Sequence, residues 1–246
     1  GASLHGENIS FTGVTHVDSE VEAGDLFIAI PGARVHGATF AEAARTRGAV
    51  AVLTDEAGLA HCAGMPVLVV KDVRTAGALV AASFYKYPTR DLISIGITGT
   101  NGKTTVSTLL YQIFEAVGRD TGLIGTVETR IGAEALKSSR TTPEAPELQA
   151  LAAVMRERHM RHLVMEVSSH ALSLNRIKGS HFAIAAFTNL SQDHLDFHKD
   201  MDSYFAAKAQ LFTSEYAEQG FINIDTEYGQ RLASSGHIPV TTVSRS

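Results

Sequence analysis

Seven consecutive residues, Gly99, Thr100, Asn101, Gly102, Lys103, Thr104 and Thr105, constrain this chain more than any others. They stand between an apolar run at residues 92–97, which predicts a strand, and residues 103–117, whose spacing predicts an amphipathic helix. A strand, a tight glycine turn and a helix in that order form the setting of a phosphate loop. Small residues let backbone N–H groups curl round phosphates, the helix N-terminus adds positive potential, and Lys103 can neutralise the outer phosphates. The hydroxyl of Thr104 would hold Mg²⁺. The general pattern G-x-x-x-x-G-K-[ST] is not met, because its first glycine would fall on Ile97, so this loop is a shorter form. A plain glycine turn capping a helix is the alternative. The adjoining Gly-Lys-Thr-Thr and the strand-to-helix context argue against it.

Around the loop the chain reads as two α/β series, and 246 residues leave room for both. In the first, residues 25–30 pattern as a strand, 40–47 as a helix, and 50–54 and 66–70 as further strands. A helix over 73–87 is expected to stop at Pro88. Polar residues and the proline at 86–90 mark a boundary, giving expected domains at residues 1–88 and 89–246. The second series has strands at 92–97, 122–127, 163–167, 182–188 and 221–224, and helices at 103–117, 144–158 and 201–212. Strands alternating with helices predict a mostly parallel sheet covered on both faces, here a small N-terminal α/β domain followed by a phosphate-loop ATPase-like domain. Nucleotide belongs at the carboxyl ends of such strands.

Two later segments supply acidic and imidazole groups. Glu166 closes an apolar strand in M-E-V-S-S-H at 165–170, which should bring its carboxylate out beside the phosphate loop; a solvated carboxylate is the alternative, and the accompanying Ser-Ser-His favours a magnesium ligand. T-N-L-S-Q-D-H-L-D-F-H at 188–198 follows another apolar strand. His194 and His198, four apart, could suggest zinc, but no third ligand has zinc spacing, and hard oxygen donors beside a phosphate loop favour magnesium. His198 is expected to be a surface or hydrogen-bonding residue. Lys208 lies in the apolar helical stretch 204–212, where residue chemistry alone makes it a lysine with a buried stem and a solvated head.

Charge and cysteine content exclude several classes. A formal charge of -5 gives no electrostatic reason for nucleic-acid or membrane-surface binding. One cysteine, Cys62, rules out an intramolecular disulfide or a cysteine zinc cage and makes the cytoplasm the expected compartment. No run of about 18 apolar residues predicts a membrane span. Nothing calls for a partner chain, so a monomer is expected.

Together, G-T-N-G-K-T-T at 99–105, T-T-P at 141–143, M-E-V-S-S-H at 165–170, T-N-L-S-Q-D-H-L-D at 188–196 and Y-F-A-A-K at 204–208 resemble the Mur ligase family. The N-terminal Asp18-Ser19, Gly24-Asp25-Leu26-Phe27 and His36-Gly37-Ala38 are similar to the uridine-nucleotide domain of the member that adds the third amino acid to the muramoyl dipeptide. The resemblance implies that residues 1–88 bind the UDP-MurNAc end of the precursor and residues 89–246 bind ATP. It implies that Gly99, Thr100, Asn101, Gly102, Lys103, Thr104 and Thr105 hold the ATP phosphates. Thr104, Glu166, His194 and Lys208 would serve the magnesium site, with Lys208 carbamylated and catalytic alongside Lys103. Carbamylation turns a cation into an anion able to meet a hard metal or orient a phosphate. Ser19, Thr141, Thr142, Ser168 and Arg176 match substrate-holding positions, and Arg176 suits a carboxylate or pyrophosphate. Leu174 departs from relatives that carry a substrate-binding glutamine there.

The implied reaction is ATP-dependent amide formation between UDP-MurNAc-L-Ala-D-Glu and a free amino acid, meso-diaminopimelate or L-lysine, through an acyl phosphate. The family's C-terminal domain, which selects that amino acid, is expected to be absent and the central domain incomplete, so this polypeptide is not expected to complete ligation alone. Other amino-acid or folylpolyglutamate-type ligases, and a noncatalytic nucleotide-binding module with a ligase-like fold, are the alternatives.

Overall fold

Short runs, most apolar at β3 to β5, build a first sheet from β1 (Ser3–His5), β2 (Gly13–Thr15), β3 (Asp25–Ile28), β4 (Ala51–Thr54) and β5 (Val67–Val69). A computed structural model describes residues 2–62 and 64–245. They divide into two units, one running to Lys86 and including Ala145–Glu147, the other comprising Tyr87–Glu144 and the chain from Leu148 onward. In the first unit the strand order is β1-β5-β4-β3-β2, parallel except for β1. Successive side chains of a strand point to opposite faces. Phe27 and Val52 therefore pack towards helix α1 (Ala41–Arg47), while Leu26, Ile28 and Leu53 pack towards helix α2 (Val73–Phe84). The fully buried β3 and β4 are apolar for that reason, apart from Asp25 and Thr54 at their ends. Helix α2 starts on Asp72, whose side chain accepts from Thr75 N. It ends at Phe84, short of the expected stop at Pro88, because Lys86 and Tyr87 take positive φ values of 58° and 51°.

The second unit contains β6 (Ile93–Thr98), α3 (Lys103–Ala116), β7 (Thr121–Ile124), β8 (Glu128–Ile131), β9 (Glu134–Lys137), α4 (Ala145–Glu157), β10 (His162–Glu166) and α5 (Ser169–Ser173). It continues through β11 (Phe182–Phe187), α6 (Leu195–His198), α7 (Met201–Ala209), β12 (Ala217–Asn223), α8 (Glu227–Ala233) and β13 (Val240–Val243). The sheet order is β13-β12-β11-β6-β10-β7-β8-β9, parallel through β7 and antiparallel across β8 and β9. Ile95, Ile97, Leu123 and Val164 face Tyr111 of α3 on one side. Leu163, Met165, Phe182 and Phe187 face α4 and the segment around Phe212 on the other.

Three expectations shift. The strand expected over 122–127 ends at Ile124 and turns into an antiparallel hairpin, β8 and β9, that its polar sequence did not announce. The helix expected over 201–212 tightens into a 3₁₀ turn at Gln210–Phe212. Helix α8 and strand β13 extend the sheet edge. No helix among the described residues is long and apolar enough to cross a membrane.

What this topology does for the site is set by β6. Its neighbours are β10 and β11, although β7 is the next strand in sequence. The chain therefore reverses its direction of winding at β6, which opens a crevice at the carboxyl ends of these three strands. Register levels those ends: Glu166 pairs with Ile97, and Phe187 with Thr98.

Candidate active site

Gly99 follows β6 directly and lies against the chain leaving β11. A Cβ there would stand 1.9 Å from Thr188 Oγ1 and 3.0 Å from Asn189 O, on a backbone of φ +147°. Gly102 is the N-terminal flank of α3 at φ +83°, and no side chain caps the helix. The N–H groups of the first turn of α3 are thus left for an anion. Replacing Gly99 with alanine is expected to weaken binding of a phosphate-bearing ligand at this loop at least about tenfold, because a contact below van der Waals distance forces the loop off its anchor. Gly102→Ala brings its Cβ only to ordinary van der Waals contact with the Thr188 side chain, 3.9 Å away, and should cost only the roughly 1 kcal/mol of a left-handed residue. ATP titration alongside thermal melting checks the pair, and equal effects would contradict the steric argument.

The loop is stitched to the segment after β11. Thr100 N donates to Asn189 O at 2.9 Å, and Asn101 N donates to Asn189 Oδ1 at 3.1 Å. Asn101 O accepts from Thr188 Oγ1 at 2.7 Å and from Asn189 Nδ2 at 3.1 Å. Lys103 Nζ folds back onto the loop, donating to Gly99 O and Thr100 O at 2.9 Å each. Burial lowers the Lys103 pKa, while Glu166 and Asp193 pull it the other way. Thr105 is exposed in the first turn of α3.

Glu166 ends β10 with 1% of its surface exposed, and both of its carboxylate oxygens accept hydrogen bonds. Oε1 accepts from Thr126 N at 2.9 Å, and Oε2 accepts from Thr104 Oγ1 and Thr126 Oγ1, both at 3.0 Å. A carboxylate and two hydroxyls are hard oxygen donors, the set that magnesium prefers. Thr126 itself was not singled out in the sequence; its position just past β7, at the same sheet edge, was the available signal.

Lys208 departs from the solvated-head expectation: it is 1% exposed and its Nζ donates to Gly99 O at 2.8 Å. Burial, with the positive charge of Lys103 beside it, lowers its pKa to about 7. Two amines therefore converge on one carbonyl. His194 flanks α6 in a left-handed conformation, exposed, its ring 4.8 Å from that of His170 and 6.1 Å from that of Tyr204. His198 is not at the surface. It is 5% exposed, with Nε2 2.9 Å from Ser169 Oγ, and burial lowers its pKa, with His170 and Lys208 adding to the effect.

The expected substrate residues gather beyond Glu166, apart from Ser19, which is exposed in a 3₁₀ turn at Asp18–Glu20 of the first unit. Thr141 Oγ1 meets Thr126 Oγ1 at 3.0 Å. Ser168 caps α5, its Oγ accepting from Ala171 N. Thr142 is wholly buried, its hydroxyl donating to Glu166 O at 2.9 Å and accepting from Ser168 N at 3.1 Å. The direct substrate contact expected of Thr142 gives way here to holding the turn after β10. Arg176 donates to Thr142 O at 3.3 Å and is ion-paired with the buried Glu144 at 3.0 Å, a partner that the sequence reading missed.

Two family models match this chain: the Mur ligase middle domain over residues 97–246, and the model described as Mur ligase family, catalytic domain, over residues 10–85. A UDP-N-acetylmuramoyl-L-alanyl-D-glutamate--2,6-diaminopimelate ligase of Streptomyces avermitilis is 53% identical over 246 residues, covering 99% of this chain and 48% of the relative. A solved structure of a ligase of that same name superposes with a TM-score of 0.78 at 28% identity, over 95% of this chain and 48% of the other. A MurF ligase from Thermotoga maritima solved with ADP shares the fold, with a TM-score of 0.62 at 17% identity over 94% of this chain and 50% of that one. The chain spans about half the length of the curated relatives it matches.

Proposed function

Since the chain belongs to the Mur ligase family, we propose that it carries the carboxylate-activating half of an ATP-dependent ligase that joins 2,6-diaminopimelate to UDP-MurNAc-L-Ala-D-Glu. The observation that carries this reading is the convergence of the phosphate loop, Glu166, Thr104 and Lys208 at one sheet edge. The relatives' shared name supports the choice of precursor and amino acid.

In the reaction, an oxygen of the precursor's free carboxylate attacks the γ-phosphorus of ATP. The bond to the bridging oxygen breaks, ADP leaves, and an acyl phosphate remains. The amine of the incoming amino acid then adds to the acyl carbon, and the resulting tetrahedral intermediate expels phosphate and loses a proton. The open N–H groups at the start of α3 and the Lys103 ammonium would hold the phosphates and offset charge on the transferring group. Glu166 and Thr104, with His194 and Lys208, would hold magnesium, which would supply positive charge to offset that of the phosphates. Arg176, Thr141 and Ser168 would orient the dipeptide arm, and Ser19 the uridine end.

Carbamylation of Lys208 has a physical basis. Only the neutral amine adds to CO₂, and a pKa of about 7 leaves much of it neutral near neutral pH. The product is an anion, which would replace the repulsion from Lys103 with attraction.

Labelling the precursor carboxylate with ¹⁸O tests the sequence of bonds, using the complete protein with ATP and diaminopimelate. The label is expected in the released phosphate; label retained wholly in the peptide would overturn the acyl-phosphate route. Folate offered in place of the muramoyl dipeptide should give no product. With ¹³C-bicarbonate, a carbamate resonance is expected that disappears in Lys208→Met.

A further inference from the structure

Resting on the reading that residues 99–105 hold the phosphates of ATP, we infer that Tyr204 is a positioning residue that locks the phosphate loop to Lys208, through its hydroxyl on one side and its ring face on the other. Tyr204 is 1% exposed. Its hydroxyl lies 3.1 Å from Thr100 Oγ1. Counting protons gives the direction of that bond. Thr100 Oγ1 spends its one hydrogen on Ser191 O at 3.2 Å and accepts from Ser191 N at 3.0 Å. The phenol therefore donates and Thr100 accepts.

The ring makes the second connection. Lys208 follows Tyr204 by one turn of α7, and its Nζ stands 4.6 Å from the ring centroid, within reach of the π-face. The same amine bonds Gly99 O at 2.8 Å, so the residue before Thr100 is gripped by Lys208 while Thr100 itself is gripped by Tyr204. His198 backs the arrangement, its ring centroid 5.0 Å from that of Tyr204 and its Nε2 bonded to Ser169, in the turn after Glu166. Two adjacent loop residues are thereby tied to one turn of one helix. A loop that must present several N–H groups to one anion gains affinity when its conformation is set before the ligand arrives.

Double-mutant cycles for Mg-ATP binding, measured on the complete protein in CO₂-free buffer, where Lys208 is the free amine of this structure, with melting temperatures alongside, test each connection. Tyr204→Phe removes only the hydroxyl and should weaken Mg-ATP about fivefold, the scale of one neutral hydrogen bond, with the melting temperature nearly unchanged. In a Thr100→Val background the same change should have no further effect, because its acceptor is already gone. Tyr204→Leu also removes the π-face. It should weaken binding more than Tyr204→Phe, and its extra loss should vanish in Lys208→Met. Wild-type affinity in Tyr204→Phe, or losses that simply add in both cycles, would overturn the inference while leaving the ATP site intact. A wild-type protein that binds no Mg-ATP would instead remove the phosphate-loop reading, and this inference with it.

Discussion

Replacing Lys208 with methionine is expected to raise the melting temperature of the folded protein while removing ligation by the complete one. The fold disfavours the Lys208 ammonium, because burial and the neighbouring Lys103 charge lower its pKa from 10.5 to about 7. Below pH 7 folded and unfolded chains both carry the proton, and the whole penalty applies. Between pH 7 and 10.5 the unfolded chain keeps a proton that the folded one has released, so stability climbs with pH; above 10.5 the penalty is gone. At about 1.4 kcal/mol for each pH unit of displacement, the penalty is on the order of a few kcal/mol. Methionine keeps an unbranched stem without the charge, and Gly99 O retains Lys103 as a donor at 2.9 Å. In CO₂-free buffer the gain should be several degrees at pH 6 and shrink towards pH 10. A melting point at pH 6 that is unchanged or lower would refute the argument. Ligation should fall at least about a hundredfold, as when a preorganised charge is removed from a transition state. Stability gained with activity lost marks a residue kept for function at the expense of the fold.

Lys103→Met should cut Mg-ATP affinity or phosphoryl transfer by about two to three orders of magnitude, with the fold retained. Among the described residues the Lys103 amine donates to two neutral carbonyls, Gly99 O and Thr100 O. Those are weak partners beside a phosphate, so the ammonium is free to exchange them when a nucleotide enters. Its proton is secured against burial by Glu166 and Asp193, which keeps it charged for that exchange. Losing the amine leaves Gly99 O bonded to Lys208 and Thr100 O near solvent, so little stability is at stake. Calorimetric titration with Mg-ATP, and ADP formation in the complete protein, read the effect. Affinity within about threefold of wild type, with unchanged turnover, would show that the backbone N–H groups alone hold the phosphates.

The features legible in the sequence are those with local signatures. Glycine spacing, an apolar strand before it and a helix after it mark the phosphate loop, since all three lie within about thirty residues. Glu166 could be read as a strand-end carboxylate for the same reason. Its partner Thr126 could not, because a threonine after a short strand looks like any turn residue until the sheet order brings it to the carboxylate. Arg176 was legible as a cation suited to anions, yet its pairing with Glu144 joins positions far apart in the chain. Thr142 shows the opposite failure: a hydroxyl in a recognisable segment is wholly buried and bonded to backbone.

By itself, the sequence determined the alternation of strands and helices and the glycine turn between β6 and α3, because periodicity and glycine act over a few residues. Only the tertiary structure decided that β10 enters between β6 and β7 and that β11 closes the other side. That order depends on long crossovers, which no local pattern encodes, and it brings Glu166 and Thr188 to the two flanks of one loop. Packing likewise decided the state of Lys208. Its helical stretch allows the amine to reach water, whereas the assembled unit encloses it against Tyr204 and Gly99. Desolvation depends on everything that surrounds a group, so it can be read only from the folded chain.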